Sequence, residues 1–179
     1  MGGLSFNCYT DICNQNTILF DQEINYALME DPKYQQYSKE FFKIFNNIRA
    51  NPDKFIAESK EHSLLGPFIK QNPSKEINLC EGNIKNIKKF LIYSHLKNKT
   101  IYEQEQELKP FIDNGHAEDI SLFQTICNTN NSVNENVWTF LLENEDDFDK
   151  IFSIDYNKLI IICFPLDYNS KILTSLIFY

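Results

Sequence analysis

The feature that most constrains this chain is its ending. Residues 159–164 and 171–179 are apolar runs rich in β-branched and aromatic side chains, and only Asp167-Tyr168-Asn169 supplies turn chemistry between them. Two strands joined so closely pair antiparallel, so the chain is expected to close in a β-hairpin. What precedes the hairpin reads as helices. There is no alternating βαβ rhythm and no internal repeat, and helices first with strands last is an α+β pattern.

The clearest helix opens with Ser38 as its expected N-cap and carries Phe41, Phe42, Phe45 and Ile48 at three- and four-residue intervals on one face. It should stop before Asn51-Pro52, because proline restrains its predecessor, and Pro52 suits the first turn of a second helix running to about Lys60 with Phe55 and Ile56 inward. Residues 62–79 hold Gly66-Pro67 and Asn72-Pro73 and read as a loop. A helix is expected over 83–96, with Ile84, Ile87, Phe90 and Leu91 buried and Lys85, Lys88 and Lys89 on a solvated face.

Residues 103–107 read as a charged approach to a further helix beginning near Pro110, with Phe111, Ile112, Ile120 and Phe123 as its stripe and Gly115 as a close packing point or weak spot. Residues 127–136 read as an Asn-rich loop, and 137–142, with the only Trp, as a short buried helix. Residues 143–149 form an acidic run. Before residue 38 no clean period exists. Residues 1–37 are therefore expected to be an irregular arm and 38–179 the domain; Phe20, Tyr26, Leu28 and Met29 in the arm are anchors that either pack on the domain or dock on a partner.

Charge and thiols narrow the function. Seventeen Lys and Arg stand against 25 Asp and Glu, a net charge of −8, which repels a phosphate backbone and argues against nucleic acid. Cys8, Cys13, Cys80, Cys127 and Cys163 are odd in number and scattered, without a signal peptide ahead of them, so no disulfide framework and an intracellular setting are expected. Cys8 and Cys13 have no Cys/His pair to complete a zinc site, since His62, His95 and His116 stand apart. Met1-Gly2-Gly3-Leu4-Ser5-Phe6 departs from an N-myristoylation signal at Phe6, where Ser or Thr is wanted.

No catalytic constellation emerges. His116 and Cys127 are the one His/Cys pair close in sequence, yet a free Cys usually behaves as a small buried hydrophobe. The acidic run lacks the turn Gly and distal Glu of a calcium loop, and no Gly-rich phosphate loop exists. The expectation is a chain that is not an enzyme and takes no cofactor or metal.

The stretch from Phe41 to Ile56 resembles the opening helix of CAP superfamily domains, also called SCP or pathogenesis-related-1-like. That helix ends in Asn-x-x-Arg, with Asn-Pro following; here Asn46 or Asn47, Arg49 and Pro52 stand at those positions. His116-Ala117-Glu118-Asp119-Ile120 is similar to the family's second core helix, which puts His116 at a core or capping position. The resemblance implies an α-β-α sandwich around a cleft where many members hold a metal with two His and two Glu. At the corresponding places this chain has Cys127, Asn128 and Asn130, then Asp147-Phe148-Asp149, and at best Glu135, so no ligand carries over. The reading that follows is a degenerate CAP-like domain serving as a structural or protein-interaction subunit of an intracellular assembly, cytoskeletal or ciliary. The alternatives are a lipid- or membrane-associated binding module and a hydrolase of unknown substrate.

Overall fold

Helix α1, Pro32–Ala50, begins where two local signals coincide: Asp31 accepts the Lys33 amide at 2.9 Å as N-cap, and Pro32 sits in the first turn, where its missing N–H costs nothing. This corrects the start expected at Ser38. That hydroxyl donates to the Tyr34 carbonyl at 2.9 Å inside the helix, and residues 32–37 are helical and not part of an arm. The structure, a computed structural model, describes residues 31–51, 75–166 and 170–179. The expected helix over 52–60, Pro52 itself, most of the 62–79 loop, the hairpin turn at 167–169 and the arm anchors Phe20, Tyr26, Leu28 and Met29 lie outside them.

Strand β1, Asn78–Leu79, is a correction at the end of the expected loop. Helix α2, Ile84–Leu96, matches the helix expected over 83–96, and it buries Ile87, Phe90 and Leu91. Helix α3, Ile101–Leu108, opens on a capping box between Thr100 and Glu103. Two single 3₁₀ turns, Lys109–Phe111 and Asp113–Gly115, follow. Strand β2 is Ser121–Asn128, helix α4 is Val133–Glu143 with a Ser132–Glu135 capping box, the short helix α5 is Phe148–Ile151, and strands β3 and β4 are Lys158–Pro165 and Lys171–Phe178.

In the middle of the chain the helix expected over 137–142 is present but longer, and the other expectations fail. The charged stretch 103–107 lies within α3, and no helix starts at Pro110. Asp113, Asn114 and Gly115 all take positive φ, at 47°, 56° and 80°, and three successive left-handed residues cannot propagate a right-handed helix. Phe123 and Cys127 belong to β2 and not to a helix or an Asn-rich loop, which shrinks that loop to the short link between β2 and α4. The short helix of 137–142 is the inner part of the longer α4.

The sheet runs β1-β3-β4-β2, antiparallel except where β1 lies parallel to β3. The closing hairpin is therefore its centre. Leu159, Ile161 and Cys163 of β3, with Ile172, Leu176 and Phe178 of β4, join Phe41, Phe45 and Phe140 in one core; Ile160, Ile162, Phe164, Leu173 and Ile177 join Ile87, Leu91 and Leu108 in the other. Alternate side chains thus feed opposite cores. Helices α1 and α4 pack on one face of the sheet and α2 and α3 on the other, giving an α+β domain with three layers.

Candidate docking groove

The two edges of the sheet are treated differently. At the β2 edge, Glu105 of α3 accepts the Leu122 amide at 2.8 Å and Asn136 of α4 donates to the Asn128 carbonyl at 2.9 Å, so side chains occupy backbone groups at both ends of the strand. The β3 edge is covered by β1 only at Lys158 and Leu159. The Cys80 amide makes a last bond to the Leu159 carbonyl at 2.8 Å, and the chain then turns away through Asn83, whose φ of 58° starts α2 on a new heading.

What this leaves open follows from the ladder. Lys158 and Tyr179 exchange both backbone bonds at 3.1 Å, and the Leu166 amide bonds the Lys171 carbonyl at 3.0 Å, so the even-numbered residues of β3 address β4. The backbone groups of Ile161 and Cys163, and the backbone nitrogen of Pro165, therefore point away from β4, while the Ile161 and Cys163 side chains stay in the core. Beyond Cys80, the Ile161 carbonyl and the amide and carbonyl of Cys163 have no strand beside them among the described residues. Pro165 has no N–H to offer and ends the usable edge.

A cavity of about 600 Å³ lies along this edge. Its walls are the first turns of α1, from Asp31 to Lys39, and the start of α2, from Asn83 to Lys88, with Leu79 and Ile84 adding apolar surface. Because α1 belongs to one face of the sheet and α2 to the other, the groove is flanked on both sides. Lys39 and Glu81 form an ion pair at 3.6 Å that joins α1 to the turn before α2.

The thiols beneath the groove are structural in geometry. Cys163 Sγ donates to Thr174 Oγ1 at 3.8 Å, Thr174 donates to Cys127 Sγ at 3.6 Å, and Cys127 reaches the Asn136 carbonyl at 3.8 Å. Burial pushes the Cys163 thiol up to about 12 and raises Cys127 as well. Tyr37 is partly buried beside them, and desolvation holds its phenol well above its ordinary range.

The Asn-x-x-Arg positions sit at the far end of α1. Arg49 is fully buried; its Nε donates to the Lys75 carbonyl at 3.3 Å, its Nη2 to Ser153 at 3.0 Å and its Nη1 to Ile151, while its guanidinium lies 6.0 Å from the Phe152 ring. Desolvation lowers Arg49 to about 10, which leaves it charged at neutral pH. Asn46 accepts the Ile77 amide at 2.9 Å, and Asn47 accepts from the Asn51 side chain at 3.1 Å on the exposed side. Asn46 and Arg49 together hold the segment that enters β1, and so set where that strand meets β3.

His116 is neither in a helix nor in a core: it is exposed, and its Nδ1 lies 3.0 Å from the Asp113 carbonyl, closing the left-handed turn. It precedes β2 at one end while Cys127 lies near the other, a separation of roughly 20 Å along a strand at about 3.3 Å per residue, so the two do not meet. The positions matching the expected metal ligands are engaged locally: Glu135 caps α4, Cys127 is in the core, and Asp147 pairs with Lys150 at 2.6 Å. Among the described residues no three His, Cys, Asp or Glu side chains converge as a metal site requires. A second cavity of about 590 Å³ is lined by Asp113, Glu118, Asp119, Asp149 and Asp155 with Lys150 and Lys158.

Sequence reasoning missed that, among the described residues, β3 has no strand beside it beyond Leu159. One signal for it was present, since a proline directly after an apolar run marks an edge strand. Comparison with models of known families, with curated proteins and with solved structures finds no match for the chain.

Proposed function

We propose that the chain is a non-catalytic protein-interaction module that receives an extended segment along the outer edge of β3. The observation that carries this reading is the run of outward backbone groups at Ile161 and Cys163, walled by α1 and α2. An added strand gains main-chain hydrogen bonds there, while the walls select its side chains, the arrangement by which strand addition combines affinity with specificity. Membership of a larger intracellular assembly, cytoskeletal or ciliary, is the outer layer of the same proposal.

The degenerate CAP-like assignment is proposed with it. It is supported by helices on both faces of the sheet, by the closing hairpin and by the grip of Asn46 and Arg49. The strand at Ser121–Asn128, where that family's second core helix had been expected to end, counts against it.

The test is selection of peptides from a random library on the full-length protein, followed by amide chemical-shift mapping. Binders are expected to shift Ile161 and Cys163 and to weaken on Lys88→Glu. Binders that leave both amides unmoved would sink the reading. Pull-down with mass spectrometry from the native cell then names the assembly.

A further inference from the structure

We propose that Asn114 is a site of spontaneous deamidation whose rate is set by the turn around it, and that the isoaspartate product opens that turn. The inference is independent of the groove.

Asn114-Gly115 is the single Asn-Gly step in the chain. Deamidation begins when the backbone nitrogen of the following residue attacks the Asn side-chain carbon. The new C–N bond closes a five-membered succinimide, and the side-chain amide leaves as ammonia, taking the proton of the attacking nitrogen. Water then opens the ring to aspartate or isoaspartate. Glycine favours the step because it has no side chain to obstruct the attack. The surroundings leave room as well. Both residues are exposed, and outside the turn itself a Cβ on Gly115 would meet only the Pro110 carbonyl oxygen, at 3.8 Å.

The turn works against the reaction. Attack needs the nitrogen released and the Asn114 side chain swung onto it. The Gly115 amide instead donates to the Ile112 carbonyl at 2.8 Å. Asn114 sits at φ 56° and ψ 32°, a left-handed conformation that asparagine tolerates, and ψ must rotate before its Cγ can reach the next nitrogen. The His116 amide at 3.1 Å and the His116 Nδ1 at 3.0 Å both meet the Asp113 carbonyl and brace the same turn. Reaction therefore waits on local opening, whose free energy sets how much slower the folded chain is.

The product changes the fold where it forms. Isoaspartate carries the main chain through the former side chain and adds a methylene between positions 114 and 115. The spacing that the bonds to Ile112 and Asp113 require is then lost. Asp113 is also the partner of Lys158 at 3.1 Å, and Lys158 opens β3, so the change loosens the clip between this loop and the central hairpin.

The experiment incubates the full-length chain at neutral pH, folded and in guanidinium chloride, and maps its peptides by mass spectrometry. Unfolded, Asn114 is expected to convert ahead of every other asparagine, with isoaspartate and aspartate both formed. Folded, it is expected to give the same products at least about tenfold more slowly, and the slowing should match the hydrogen-exchange protection of the Gly115 amide, because both need one opening. Equal rates in the two conditions, an Asn114 that stays intact when folded, or a slow reaction beside an unprotected Gly115 amide each overturn the proposal. The isoaspartate form, separated from the starting chain, should exchange its His116 amide at least about tenfold faster, whereas Asn114→Asp, which adds the charge without the methylene, should keep the wild-type rate. Equal protection of His116 in the isoaspartate form, or an equal loss in Asn114→Asp, would overturn it too.

Discussion

Arg49 and Ser153 are 104 positions apart in the chain, and the guanidinium of one donates to the carbonyl of the other at 3.0 Å. That bond and its neighbours to Lys75 and Ile151 tie the end of α1 to the segment entering β1 and to the turn after α5. A flat fork of donors suits three carbonyls arriving from two directions, and an ammonium does not reproduce it. Arg49→Lys is expected to cost about 2–4 kcal/mol, because it strands buried carbonyls as well as losing the bonds. Urea unfolding of the two chains measures this; a midpoint within error of the wild type would deny Arg49 its bracing role.

Phe140 is the aromatic hinge between α4 and α1. Its ring meets Phe41 edge-on at 5.8 Å and Phe45 at 6.3 Å, all three fully buried. Phe140→Ala should therefore destabilise by about 3–5 kcal/mol, the range for opening a cavity of this size in a core. Phe140→Leu should recover much of that, and thermal unfolding of the pair separates lost volume from lost ring contacts.

The buried thiols impose a pH dependence with a definite sign. Cys163 is raised to about 12 from 9.0, and Cys127 is raised in the same direction. Below about pH 9 both folded and unfolded thiols are neutral and the contribution to stability is complete; between 9 and 12 the unfolded chain ionises while the folded one does not, so stability falls as pH rises. The urea midpoint should drop from about pH 9 upward, and Cys163→Ala should flatten that drop. In the native protein near neutral pH, Cys127 and Cys163 should resist alkylation while the half-exposed Cys80 reacts.

Pro165 stands at the outward position that follows Cys163 on β3. Pro165→Thr adds an amide to the side of β3 that has no strand beside it among the described residues, without touching the ladder to β4, so it should raise self-association. Light scattering across a concentration series reads the effect. No change in scattering would show that the edge is already closed along its whole length.

Much of the domain was legible locally. The hairpin could be read because 159–164 and 171–179 are continuous apolar runs with turn residues between them, and α2 because its burial follows a helical period from Ile84 to Leu91. The stripe of α1 was readable for the same reason, though its start was misplaced: Ser38 looked like a cap, while Asp31-Pro32 combines a cap with a proline in the first turn. Strand β2 was not legible. Leu122 and Phe123 are both buried, on opposite faces, so the alternation that identifies a half-exposed strand is absent.

The sequence by itself determined the α+β class, the closing hairpin and the buried stripes of α1 and α2, because each depends on a pattern carried by neighbouring residues. Only the tertiary structure decided that β1 is two residues long, that Asn46 and Arg49 set its position, and that among the described residues no strand lies beside β3 beyond Leu159, between two helices. These are relations between residues 26 to 104 positions apart, and no local period encodes which backbone groups a distant strand will pair.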